Sequence, residues 1–159
     1  MGIAVRARPA STDDIPVLTG LYRALESEMV SLHGMWPRAD GLDEPVEQSL
    51  EALLEDPEAK AYIGEIDDYP LGFIIGRSEP LNTHEAARVA AIRFVFVDED
   101  ARAVGLGEAM RDLLMEDFRA EGHTLFDAHV LPGHRLAKNF FEAGGFSART
   151  IVMHHDDDR

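Results

Sequence analysis

The sequence predicts an α/β (α+β) fold, a mixed central β-sheet with helices on both faces. Three observations predict it. Segments rich in β-branched and aromatic residues interleave with segments of helical periodicity, in the order β-α-α-β-β-β-α-β-α-β. Two strand-type runs, "KAYIGEI" and "LGFIIGR", flank the turn-type "DDYP" and read as an antiparallel hairpin. The later strands are separated by helices, so parallel crossovers are expected in that half of the sheet.

The elements follow in order. Ile3 to Arg8 is a first strand, stopped by Pro9. The stretch "STDDIPVLTGLYRALESEMVSLHG" is a helix. Ser11 or Thr12 can cap it, Asp13 and Asp14 suit the positive end of its dipole, and Leu18, Leu21, Leu25 and Met29 share one face. "MWPRADGLDEP" reads as loop, and a shorter helix from about Glu44 to Leu54 ends before Pro57. After the hairpin, the polar loop "SEPLNTHEAA" leads to "RVAAIRFVFV", the longest β-type run. A helix from Gly105 to Glu121 puts Met110, Leu113, Leu114 and Phe118 on its apolar face. "TLFDAHV" is the next strand, and "HRLAKNFFEAGG" is a helix whose Gly144-Gly145 pair suits a left-handed C-cap. "FSARTIVMHH" is expected to close the sheet. Without a repeat, linker or low-complexity segment, the reading is a single domain over residues 1–155 with a solvated acidic tail at 156–159.

Composition narrows the function. A chain of 159 residues, 45% hydrophobic, supports one domain with a real core. It has no Cys, which excludes disulfides, thiolate metal sites and a cysteine nucleophile together. No apolar run approaches the roughly 18 residues of a membrane span, and the N-terminus lacks a secretion-type apolar stretch. A soluble cytoplasmic protein is expected. The formal net charge of −15 repels nucleic acid and anionic membranes and favours cationic partners, although acidity also serves solubility alone.

One stretch asks for an anion. "VFVDEDARAVGLGEAMRDLLMEDF", from Val95 to Phe118, places Gly105 and Gly107 where a helix is about to begin, although Gly is a poor helix former. The first amides of a helix lack intrahelical partners and sit at the positive end of its dipole. Glycines there let a phosphate approach the backbone without meeting a Cβ. Arg102, Ala103, Val104, Gly105, Leu106 and Gly107 can therefore cradle a pyrophosphate, Arg102 adding charge. A packing turn is the plain alternative. A nicotinamide-type fingerprint is excluded, because its third glycine falls on Met110 and the motif sits late in the chain.

"VDEDARAVGLG" resembles the R/Q-x-x-G-x-G/A acetyl-CoA motif of the GNAT superfamily of N-acetyltransferases. Later, "HRLAKNFFEAGGF" resembles that family's N-x-x-A-x-x-F-Y-E-x-x-G-F signature, with Ala137, Phe140, Glu142, Gly145 and Phe146 at matching positions. The resemblance implies the GNAT fold, its sheet splayed like a V between two central parallel strands, with acetyl-CoA as acyl donor entering the splay. The main chain of Phe96 and Val97 would bond the pantetheine arm and polarise the thioester. Residues 102–107 would hold the pyrophosphate, and His134, Lys138 and Phe141 would complete the cofactor site. A small-molecule or peptide amine would approach over the first two helices. The implied function is acetyl transfer from acetyl-CoA to a primary amine by direct attack, with a non-catalytic acyl-CoA-binding module of the same fold as the alternative. A homodimer is compatible with such a fold.

The pattern breaks near the chemistry. The strand "AAIRFVFV" carries no Asp or Glu where many relatives place a carboxylate base, Phe141 replaces the usual acid Tyr, and His134 replaces the usual Asn. No acid or base is therefore assigned, and the candidates are Asp127, His129 and His134. Asp127 and His129 alternate on one strand and share a face, as a base pair or simply as a half-exposed surface. His134 can contact CoA or cap its helix. His84 and Glu85 lie in the loop before the longest strand, an acceptor-side position or plain solvated loop. Trp36 lines an acceptor pocket or plugs the core. The acidic first half (Glu26, Glu28, Asp40, Asp43, Glu44 and Glu47) draws in an amine or is merely solvated. No metal site is expected: His154 and His155 are adjacent, so on a strand they point to opposite faces.

Overall fold

The computed structural model describes residues 2–82 and 87–159. The strands are β1 (Val5–Pro9), β2 (Ala59–Ile66), β3 (Tyr69–Pro80), β4 (Arg88–Val97) and β5 (Phe126–Ala128). The helices are α1 (Ile15–Leu32), α2 (Trp36–Ala39), α3 (Val46–Glu55), α4 (Leu106–Ala120) and α5 (Arg135–Ala143). One five-stranded sheet runs in the order β1-β2-β3-β4-β5, antiparallel throughout except for the parallel β4–β5 pair. Among the described residues no helix is long and apolar enough to cross a membrane.

Local chemistry sets the connections. Asp67 and Asp68 both take positive φ, 50° and 67°, so β2 and β3 join through a tight two-residue turn whose twist suits the hairpin. Tyr69 and Pro70, expected in the turn, already belong to β3. At the other end, both guanidinium nitrogens of Arg8 donate to the Asp14 carboxylate, at 2.8 and 2.9 Å, and the Ser11 amide donates to it at 2.8 Å. Those bonds tie the end of β1 to the start of α1, with Ser11 rather than Thr12 at the cap of the short turn before the helix.

The sheet separates two cores. On one face Leu18, Tyr22, Leu25 and Met29 of α1, with Trp36 and Leu50, cover Phe73, Ile75, Phe94 and Phe96. On the other, Met110, Leu114 and Phe118 of α4 and Phe141 of α5 cover Tyr62, Ile74, Ala90 and Ile92. Helix α4 sits close because glycines pave its floor. A Cβ on Gly64 would lie 2.7 Å from Leu106 Cδ1, and one on Gly72 would lie 2.8 Å from the Phe96 carbonyl oxygen.

Two features position the site. Pairing along β3 passes from Ile75↔Phe94 to Gly76↔Ile92, leaving Arg93 as a bulge in β4. Pairing of β4 with β5 covers only Ala90↔Phe126 through Ile92↔Ala128, extended by one bond from the His129 amide to the Ile92 carbonyl at 3.1 Å. Beyond Ile92 the two strands part, and β4 runs on to Val97.

Three expectations change. The loop "MWPRADG" contains the short helix α2, with Trp36 buried and packed 6.1 Å from both the Tyr22 and Phe94 ring centroids, so the tryptophan is a core plug. The strand "TLFDAHV" shrinks to three residues. The closing strand over "FSARTIVMHH" does not form: Ile151, Val152 and Met153 are 68–88% exposed, and β5 is the sheet's edge. Strand propensity in that segment finds no ladder to join, because β5 offers only three residues and propensity without a packed neighbour is weak.

Replacing Gly72 by Val puts a methyl-bearing Cβ against a backbone oxygen that cannot move away without shifting β4. Urea denaturation of Gly72→Val should show a loss of about 1–3 kcal/mol in unfolding free energy. An unchanged midpoint would mean that the sheet and α4 are more loosely packed than described.

Candidate active site

The turn between β4 and α4 is built by its backbone. Asp98 accepts from the Asp100 amide at 3.0 Å and starts a short 3-10 turn over Glu99–Ala101. Ala103 and Gly105 then take left-handed φ values of 69° and 89°. Gly105 is the N-cap of α4, and a Cβ there would meet no atom within 4 Å. It is glycine for its conformation, and the space outside it is open. Gly107 answers to a different need, since a Cβ on it would lie 3.0 Å from the Phe140 ring. The glycine pair thus combines a left-handed turn that exposes helix amides with a close approach between α4 and α5.

A cavity of about 180 Å³ lies between this turn, the end of β4 and the start of α5. Val95, Phe96 and Val97 of β4 form one wall, Arg102, Ala103, Leu106 and Gly107 another, and His134, Leu136, Ala137 and Phe140 of the α5 region a third. Glu28 of α1 closes it. Arg102 crosses the opening: its Nε donates to the Val97 carbonyl at 2.9 Å and its guanidinium carbon lies 5.7 Å from the Phe96 ring centroid. Its Nη2 is 3.4 Å from both Glu28 oxygens, and His134 Nε2 is 3.5 Å from Glu28 Oε1.

The other residues expected at the site fall as follows. Val104 and Gly105 are on the exposed outer rim of the turn. Lys138 is exposed and pairs with Glu142 at 3.1 Å. Phe141 is buried in the core between Phe140 and Phe146, while its neighbour Phe140 faces the cavity. Asp127 is held by both Nε and Nη2 of Arg149, at 2.8 and 2.6 Å, and that guanidinium keeps its carboxyl below the usual carboxylate range. His129 is crowded by its neighbours and faces Arg93, whose Nη1 is 3.4 Å from Nδ1. Crowding first and the Arg93 charge second push its imidazole below 6.5. His84 and Glu85 lie outside the described residues. His155 pairs with Asp157 at 2.8 Å, and no group of three or more metal-ligating side chains occurs among the described residues.

Two groups escaped the sequence reading. Glu79 on β3 reaches the bulge and grips Arg93 through both carboxylate oxygens, bringing a carboxylate beside a strand that has none of its own. Glu28 stood in the sequence only as one of many acidic residues. A helical projection placing it beside the Met29 stripe would have put it at the edge of the buried face.

Comparison with known proteins follows the same outline. A model of the acetyltransferase (GNAT) family matches residues 21–146, and the chain belongs to that family. An uncharacterised N-acetyltransferase of Methanocaldococcus jannaschii is 26% identical over 100 residues, which is 63% of this chain and 44% of the relative's length. The fold is shared with aminoglycoside N-acetyltransferase AAC(6')-Iy, solved with CoA: TM-score 0.76, 16% identity, 99% of this chain and 97% of that one. It is shared too with a ribosomal-protein-alanine N-acetyltransferase from Brucella melitensis biovar Abortus: TM-score 0.69, 19% identity, 96% and 100% of the two chains.

The His129 environment gives a pH test. Arg93 depresses its titration and Glu79 opposes that effect. Arg93→Gln removes the cation and frees the carboxylate, so both changes favour the charged imidazole. The His129 ring resonances in NMR should titrate at higher pH in the variant. An unmoved titration would mean that crowding alone sets it.

Proposed function

We propose that the protein transfers an acetyl group from acetyl-CoA to a primary amine of a small molecule or peptide. One observation carries this reading: the stretch of β4 beyond Ile92, paired with β3 but no longer with β5, leads directly into a left-handed glycine turn at a helix N-terminus, and both line one cavity. A thioester on a pantetheine arm suits the first, because an unpaired strand edge offers amide donors and carbonyl acceptors in a row. A pyrophosphate suits the second. The side chain of Arg102 would turn from Glu28 toward that anion.

The amine would enter on the α1–α2 side, where Asp40 favours a cationic acceptor. Its nitrogen attacks the thioester carbonyl carbon, and the developing oxyanion is stabilised by amides of β4. Alignment and preorganised donors together supply several kcal/mol of barrier lowering. Both oxygens of Asp127 are occupied by Arg149, so a water-borne proton exit past neutral His129 fits better than direct abstraction by the carboxylate. The names of the structural neighbours support small-molecule and peptide amines alike.

Calorimetric titration with acetyl-CoA should show micromolar binding, with dephospho-CoA and NAD as controls, and an amine panel followed by free-thiol release should then identify turnover. Thiol release separates a transferase from an acyl-CoA-binding module. Gly105→Val forces a branched side chain into a left-handed conformation and fills the open space outside the turn. It should weaken acetyl-CoA binding at least tenfold, about 1.4 kcal/mol. Unchanged affinity would remove the turn from the binding site.

A further inference from the structure

We infer that His134, oriented by Glu28, is the acid that protonates the CoA thiolate as it leaves. This rests on the acetyl transfer proposed above. The amine nitrogen forms a bond to the carbonyl carbon, the carbon–sulfur bond breaks, and its electron pair stays on sulfur. The imidazolium proton of His134 passes to that sulfur, while the surplus proton of the amine leaves to water.

The cavity itself narrows the choice. Of the described side chains lining it, only Glu28, Arg102 and His134 can ionise. Arg102 does not release a proton in proteins. Glu28 faces both Arg102 and His134, so it serves as their shared acceptor. The two phenylalanines at the end of α5 carry no proton to give, one lining the cavity and the other buried in the core.

Geometry favours the imidazole. His134 shares the cavity with the main chain of Phe96 and Val97, and its side chain is only 15% exposed. It makes no capping bond to α5, so the ring is not committed to the helix behind it. Nε2 lies 3.5 Å from Glu28 Oε1, so the carboxylate fixes one edge of a ring that lines the cavity. The charged groups around the ring are Glu28 from α1 and Arg102 from the glycine turn. On α5 itself Arg135 is exposed, and Lys138 turns out to Glu142.

The decisive measurement does not depend on the acceptor. The thiol of CoA bound to the protein can be titrated by its thiolate ultraviolet absorbance. An adjacent imidazolium lowers a thiol's pKa. The wild-type complex should therefore titrate about one pH unit below the His134→Asn complex, with Glu28→Gln giving a smaller shift, and calorimetry showing that each variant still binds CoA. Once an amine substrate is found, His134→Asn should lower kcat about 100-fold and abolish the basic limb of its pH profile, with KM for acetyl-CoA little changed. Identical thiol titrations in wild type and His134→Asn would overturn the inference. A lowered thiol pKa with no amine acetylated would sink the transferase reading and leave the thiol–imidazole pair standing, whereas failure of CoA to bind would end both.

Discussion

Everything at the site depends on where β4 stops pairing with β5. The ladder holds for three residues and ends at Ile92. The next residue, Arg93, is the bulge. A bulge adds local twist and bends its strand, and here the bend falls where the neighbours must diverge. Backbone amides and carbonyls that would be satisfied in a continuous sheet are instead turned toward a cavity. A sheet does not leave such groups idle without water or a ligand to receive them. The bulge side chain is in turn fixed by Glu79 from the adjacent strand, so the break in pairing is braced by an ion pair across β3 and β4.

The second requirement is that the helix after β4 begin close to the sheet. Gly64 and Gly72 remove side chains from the strip under Leu106 and Met110, so α4 lies nearly against the backbone. Its N-terminus is then delivered beside the end of β4 rather than a side-chain layer above it. Gly107 repeats the device on the other side, admitting Phe140 of α5. Strand edge, helix amides and the α5 wall meet because Gly64, Gly72 and Gly107 shorten the contacts of α4 with the sheet and with α5.

Much of this was legible in the residues. Hydrophobic periodicity located α1 and α4, since each buries one stripe, and the strand–turn–strand run around the paired Asp residues marked the hairpin. What escaped was information that only packing supplies. Phe140 and Phe141 are adjacent on a helix, about 100° apart around its axis, so a motif match could not say which faces the cavity and which the core. Glu28 and Glu79 look like surface acids in sequence, and acquire partners only when α1 and β3 are brought to the turn and the bulge. Trp36 had two plausible settings, and the choice fell to Tyr22 and Phe94, residues distant in the chain. The segment after Phe146 has strand-like residues, but a strand exists only with a neighbour to bond.

That last segment has a consequence for how copies of the molecule behave in crowded solution. Ile151, Val152 and Met153 lie open, and the β5 edge of the sheet has no outer neighbour strand among the described residues. Proteins blunt such edges with prolines, covering loops or charge. The formal −15 makes every encounter between two chains repulsive. At physiological ionic strength that repulsion reaches only about 8 Å, and it shortens further as salt rises. Colloidal stability in this fold is thus electrostatic in origin: multivalent cations that screen the acidic surface would weaken the repulsion that keeps copies apart.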